Sequence, residues 1–233
     1  MTDLPPELER RRVPAPDVVQ APATPWAEHH RLLVDARPEG TGPDGHRIVV
    51  VAGIGRWPHR GRAAFQAAVL IDGRPPLVIA EDDIAEPVAG WEIRASGLWA
   101  DQVCEDPFVH WSYGLEAFAL AIDDPAALLD RAHGVRLPLG WELEFESTGP
   151  PTVHPDGEGY DQDGIGHGLL LMADERWEIE GRARRSHRWG TSPVTADERV
   201  DDHPGGRLVA LPTPAGVWWV GPSDDGVRSC LRP

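Results

Sequence analysis

Residues 176–190 read RWEIEGRARRSHRWG. Trp177, Ile179, Gly181, Ala183, Arg185, His187 and Trp189 share one parity, while Arg176, Glu178, Glu180, Arg182, Arg184, Ser186 and Arg188 share the other and are all polar. A period of two predicts a half-buried strand or a long bent hairpin arm. Along the row that should face inward, apolar residues give way to Arg185 and His187 before Trp189 closes it. Placing Arg and His in the row of core residues points to a site. The competing reading ends the alternation near Ala183 and leaves both side chains at a solvent rim.

The same design recurs in shorter form. Trp141, Leu143 and Phe145 alternate with Glu142, Glu144 and Glu146, and Trp91, Ile93, Ala95, Gly97 and Trp99 form another candidate inner row. Gly90-Trp91-Glu92-Ile93, Gly140-Trp141-Glu142-Leu143 and Arg176-Trp177-Glu178-Ile179 each open one of these segments. Three strands of one kind predict an all-β barrel or sandwich with an acidic outer side and a Trp-bearing inner side. His46 to Ala52 adds a buried run. Asp72-Gly73, between Ala64–Ile71 and Leu77–Ala80, marks a hairpin, as does Asp225-Gly226 between Val217–Val220 and Val227–Leu231. One short helix is expected from Asp124-Pro125 to Gly134. Residues 149–167 read as loop and as a boundary, giving an N-terminal half over 26–150 and a C-terminal half over 151–233. Residues 1–25, with six prolines and no apolar period, read as an extended or disordered arm.

Size and charge narrow the function classes. A chain of 233 residues has ample core for one large or two small domains. Its net charge of −16, with every basic residue apart from histidine an arginine, argues against a nucleic-acid partner. No apolar run approaches the ~20 residues of a membrane span, and residues 1–16 lack the apolar stretch of a signal peptide, so a cytoplasmic location is the default. Cys104 and Cys230 are too few for a disulfide scaffold; they read as two buried thiols, with a single bridge as the alternative. Ten tryptophans stand against four phenylalanines and two tyrosines. That balance suits either an apolar cavity wall or the filling of a β core.

No phosphate loop, serine-hydrolase elbow or zinc helix is present, so no nucleotide cofactor and no metal is expected. The acidic run Asp156, Glu158, Asp161 and Asp163 lacks the ligand spacing of a calcium loop. His29-His30, His59 and His203 read as surface residues. Between Asp101 and Glu116, Asp106, His110 and Glu116 stand among Trp111 and Tyr113, the residue types that acid–base chemistry on an apolar substrate uses; the alternative is a polar loop leading into a strand. Arg185 and His187, two apart on one strand face, lie ~6–7 Å from each other and can share a ligand or a buried carboxylate.

The run from Trp141 to Gly190 resembles the lipocalin-like superfamily related to carotenoid hydratases. The resemblance rests on the acidic alternation at Glu142–Glu146, on Gly159-Tyr160-Asp161-Gln162, and on Gly181-x-Ala183-x-Arg185-Ser186-His187-Arg188-Trp189-Gly190. Ser186 and Arg188 stand where the family carries Asp and Ser. The resemblance implies a lipocalin-like antiparallel barrel or paired half-barrels. It also implies hydration or cyclisation of isoprenoid or polyene substrates in specialised metabolism, with the missing Asp bearing against hydration itself. His187 is then the proton donor or acceptor and Arg185 the orienting group, with Asp106, Glu116 or His110 as further acid–base candidates. Trp91, Trp99, Trp111, Tyr113, Trp177 and Trp189 would line the substrate cavity. The expected partner is a hydrophobic small molecule, and the competing function is that of a non-catalytic carrier for it.

Overall fold

Alternation along the chain becomes strand almost wherever it occurs. The computed structural model describes residues 27–38, 45–87, 90–122 and 134–190, together with the backbone of 209–213, 216–223 and 226–232. The first hairpins are β1 (Ala27–Pro38), β2 (Ile48–Trp57), β3 (Arg62–Ile71) and β4 (Leu77–Ala85). Next come β5 (Ile93–Ala95), β6 (Leu98–Asp106), β7 (His110–Ile122), β8 (Gly134–Ser147) and the two-residue β9 (Thr152–Val153). Strands β10 (Gly159–Met172) and β11 (Glu175–Gly190) form the next hairpin, and β12 (Val209–Thr213), β13 (Gly216–Ser223) and β14 (Gly226–Arg232) form a separate sheet.

Every pairing is antiparallel, and the main sheet runs β4-β3-β2-β1-β11-β10-β8-β7-β6-β5. Strand β4 also pairs with β7 through Leu77↔Ala121 and Val78↔Leu120, which brings the sheet round onto itself. The result is an all-β, near-closed antiparallel barrel. Strands on either side of residues 149–158 are direct neighbours in it, since β8 pairs β10 from Leu139↔Met172 to Ser147↔Gly164. Strand β12 lies against β3 and β4, and β13 against β2. This accounts for the burial of outward-facing Val49, Val51, Ala64 and Ala68, positions a solvated barrel wall would fill with polar residues. Among the described residues, the only helical turn is the 3-10 turn Pro58–Arg60. The helix expected over 124–134 lies outside the described residues apart from Gly134, which begins β8.

Two segments depart from expectation. Residues 159–167 are strand, not loop: β10 carries Tyr160, Gln162, Gly164, Gly166, Gly168, Leu170 and Met172 on its inward parity. Glycine at three of these positions hides the alternation from a hydropathy reading. A side chain at Gly164 would meet the Phe145 ring, and one at Gly166 would meet Val34 and Ala183, so those neighbours occupy the barrel axis in its place. The stretch 101–116 is likewise a hairpin, β6–β7, turning at residues 107–109.

The inner face is divided along its length. One end is aliphatic: Val34, Ala36, Ile48, Val50, Val69, Ile71, Leu77, Leu139, Leu170, Met172 and Ile179 are all buried there. Burying each large side chain stabilises the fold by about 1.5–3 kcal/mol. Arg74 lies across this end, ion-paired to Glu175 at 2.6 Å with its guanidinium 4.8 Å from the Trp177 ring centroid. The other end is built differently.

Candidate functional site

Six strands carry ionisable or polar residues inward at the second end, β6 among them with the buried Gln102 beside Tyr113. On β1 the row Glu28, His30, Leu32, Val34, Ala36 faces the interior, and on β2 the row ends at Arg56. On β11 the alternation continues unbroken through Ala183, Arg185 and His187, so neither side chain reaches a solvent rim. Strand β10 adds Tyr160 and Gln162, and β7 adds Trp111 and Tyr113. Register makes neighbours of these rows: His30 faces His187, and His187 faces Tyr160. Glu28 is 3% exposed, His30 2%, and Arg185 and His187 1% each.

A continuous hydrogen-bonded chain runs through the cluster. His187 Nε2 lies 2.6 Å from Glu28 Oε1, and His187 Nδ1 lies 3.3 Å from the Tyr160 hydroxyl. Arg185 donates to Tyr160 Oη at 3.1 Å and to Gln162 Oε1 at 3.2 Å. A neutral His187 protonated at Nε2 satisfies both of its contacts, donating to the carboxylate and accepting the phenolic proton. Gln162 in turn donates to the carbonyls of Phe108, at 2.6 Å, and Gly149, at 3.2 Å. It thereby ties the β6–β7 turn and the start of the 149–158 segment to the site.

Aromatic rings enclose these groups. The Arg185 guanidinium stacks 4.4 Å from Trp111 and 5.4 Å from Tyr160. Arg56 lies 4.8 Å from Trp91 and is ion-paired to Glu86 at 2.6 Å. His30 packs between Trp91, with centroids 4.0 Å apart, and His187, at 3.7 Å. Trp189 sits 4.9 Å from His187 and 6.1 Å from Tyr160, and Phe108 covers Tyr160 from outside at 5.5 Å. Phe108 has φ +60°, a left-handed conformation unfavourable for a bulky side chain.

Burial first, then the neighbouring His187, Arg185 and Arg56, pushes the pKa of His30 well below the usual histidine value, so its imidazole is neutral at pH 7. On the outer face of β1, burial and then the charges of Arg31 and Arg188 lower the pKa of His29 to about 3. Buried atoms without a hydrogen-bond partner at this end include Glu28 Oε2, His30 Nε2 and both side-chain polar atoms of Gln102. Such atoms cost free energy unless something satisfies them.

The residues singled out from sequence divide cleanly. Arg185, His187, Trp91, Trp111, Tyr113 and Trp189 come together at the polar end. Trp177 shares their inner row but sits, half-buried, at the aliphatic end. Trp99 is on the outer face: the turn at Ser96-Gly97 starts a new strand, and the ring lies over Gly114 with its Nε1 donating to Glu92. His110 is outside as well, 2.6 Å from Glu144, and Asp106 and Glu116 are exposed. The structure does not bring these three to His187. Cys104 packs part-buried against the core. Asp156 and Asp163 of the acidic run take ion pairs from Arg188 and Arg184, each at 2.9 Å.

Sequence reasoning missed Glu28, His30 and Arg56, and His29-His30 are buried, not superficial. A signal existed: Leu32, Val34 and Ala36 set a parity that, extended backwards, includes both His30 and Glu28. His203 lies outside the described residues.

Comparison with known proteins adds little. No family model and no curated protein matches the chain. Among solved structures, the chain is similar to CghA with Sch210972, at a TM-score of 0.36 and 14% identity, covering 84% of this chain and 53% of that one. It is also similar to the enduracididine biosynthesis enzyme MppR complexed with pyruvate, at a TM-score of 0.23 and 12% identity over 70% of this chain and 88% of that one. The chain thus spans about half the length of CghA.

Proposed function

We propose that this chain is a lipocalin-like enzyme that admits a hydrophobic small molecule to the polar end of its barrel and moves a proton there. The observation that carries this reading is the buried chain Glu28–His187–Tyr160–Arg185. A carboxylate orienting an imidazole that contacts a phenol is an acid–base relay. Tyr160 gives its proton to a substrate carbon or oxygen, the phenolate faces Arg185, and the proton that the substrate or an added water loses in the same turnover returns to it. In the opposite direction His187 accepts the Tyr160 proton and the phenolate acts as base.

The surrounding Trp91, Trp111 and Trp189 favour an apolar, unsaturated substrate, and their faces stabilise cationic character as it develops. An isoprenoid or polyene that is cyclised, isomerised or hydrated fits this wall and the resemblance at Arg185–Gly190. We place entry past Phe108, whose ring lies 5.5 Å from Tyr160 on a backbone at φ +60° and whose carbonyl accepts from Gln162, so admission there requires that hydrogen bond to open.

Two measurements test the reading. Native mass spectrometry of freshly purified protein identifies a retained apolar molecule, and that molecule and its analogues are then assayed for turnover. Conversion by the wild type that collapses in the folded His187→Ala protein supports the enzyme. Retention without any conversion defeats it in favour of a carrier.

A further inference from the structure

We propose that Glu28, His30 and His187 form a buried site for one divalent first-row ion of the zinc type, held by a carboxylate oxygen and two imidazole Nε2 atoms. The inference goes beyond the acid–base reading and is tested by binding alone.

Geometry is its first support. One donor atom from each residue lies within 4.8 Å of the other two. Both imidazole Nε2 atoms approach the same oxygen, Glu28 Oε1, at 2.6 Å from His187 and 3.6 Å from His30. Three atoms that close share a point about 2.8 Å or less from each, so movements below ~1 Å reach zinc bond lengths of ~2.0–2.2 Å.

The second support is the pair of orphaned atoms. Glu28 Oε2 and His30 Nε2 are buried without a partner, on side chains 4% and 3% exposed. An ion on Glu28 Oε1 and the two imidazoles satisfies His30 Nε2 directly, and it reaches Oε2 where the carboxylate binds through both oxygens. The donors suit the task chemically, since two imidazoles and one carboxylate are the ligand set of His₂Glu zinc sites. Backbone placement is fixed: Glu28 and His30 are two apart on β1, and His30 is the register partner of His187 on β11.

The nearby cations do not forbid the site. Arg56 is ion-paired to Glu86 at 2.6 Å, and Arg185 directs its hydrogen bonds to Tyr160 and Gln162. With Nε2 given to an ion, His187 would carry its proton on Nδ1 and donate it to Tyr160 Oη, so the phenol would orient the ligating ring from outside the coordination sphere, in place of the relay described above. Three protein ligands leave at least one position for an oxygen of substrate or water.

The test uses the full chain, stripped with a chelator and titrated with Co²⁺, read by visible d–d absorption and checked by competition with Zn²⁺. One equivalent should bind and raise the melting temperature, and chelator should reverse the rise. His30→Ala and Glu28→Gln should each weaken binding at least ~100-fold, at or beyond the upper end of the effect of losing an outer-shell partner. The double variant His110→Ala/His167→Ala, which removes the exposed His–Glu pairs of the outer face, should bind as the wild type does. Should the single variants not fold, addition of Co²⁺ to wild type during refolding decides instead. The absence of any Co²⁺ spectrum at one equivalent by both routes overturns the proposal. So does a spectrum that survives in folded His30→Ala. If no ion binds but His187→Ala still abolishes turnover, the acid–base reading stands without the metal.

Discussion

The two ends of the barrel are made by the same strands under the same alternation, yet they do opposite work. From Leu32 to Ala36 on β1, and from Ile179 to Ala183 on β11, the inward side chains are aliphatic or small and bury apolar area. Two residues further toward the other end, the same rows present His30, Glu28, Arg185 and His187. Desolvating charged groups is unfavourable unless each finds a partner, and here the partners are one another together with Tyr160, Gln162 and Glu86. The aliphatic end holds the fold together. The polar end is a constellation that stability alone would not select.

The sharpest way to break this contrast is His187→Ala. It should lower turnover ~10²–10⁴-fold, the usual loss for an acid–base group, with the far-UV circular dichroism of the wild type. An unfolded variant would mean that the polar end is structural after all. At the other end, Leu170→Ala, which truncates a side chain with 0% exposure, should cost about 2–5 kcal/mol in urea denaturation. Turnover per folded molecule should stay at the wild-type value, and a fall of tenfold or more would join the two ends functionally. Arg185→Ala removes the cation that faces the Tyr160 phenolate and should lower kcat about 10–100-fold, in line with ~1.5–3 kcal/mol for a charged hydrogen bond, while KM changes less. A KM rise with kcat unchanged would make Arg185 a binding group and take it out of the proton relay. The smallest effect belongs to Asp106→Asn and Glu116→Gln. These exposed groups should shift stability by no more than ~0.5 kcal/mol and leave turnover unchanged, and a clear loss in either would extend the site to the outer wall.

Much of this division was legible in the chain before folding, but unevenly. Strand β11 and the Trp141–Glu146 stretch of β8 keep a strict period of two, so their inner rows, Arg185 and His187 included, follow from parity alone. Strand β1 was obscured because its first residues, Glu28, His29 and His30, are polar on both faces. Only the later Leu32, Val34 and Ala36 betray the row. In β10 three consecutive inward positions, Gly164, Gly166 and Gly168, are glycine, whose hydropathy is silent, and what fills the space at the first two comes from Phe145 and Val34 on other strands. Trp99 was misplaced by one turn: Gly97, at φ +75°, reverses the chain and with it the parity. Charged residues on a strand can also belong to either face, so Asp106, His110 and Glu116 could not be separated from Arg185 by type, only by register.

The missing side chains of β10 set a depth. Because Gly164 and Gly166 carry none, Phe145 and Val34 reach across and stand as a floor between the two ends. A molecule entering past Phe108 is therefore measured from the cluster down to that floor, as in a cup and not a tube. On the proposed reading, the length of molecule the barrel accepts is governed by Val34 and by Phe145, whose ring centroid lies 5.9 Å from the Arg185 guanidinium. Trimming Val34 to alanine would deepen the cup by about one branched methyl pair, and adding a methyl at Gly166 would force the floor upward. Val34 shares β1 with Glu28 and His30, and Gly166 shares β10 with Tyr160, so the floor and the proton chemistry are successive levels of the same inward rows.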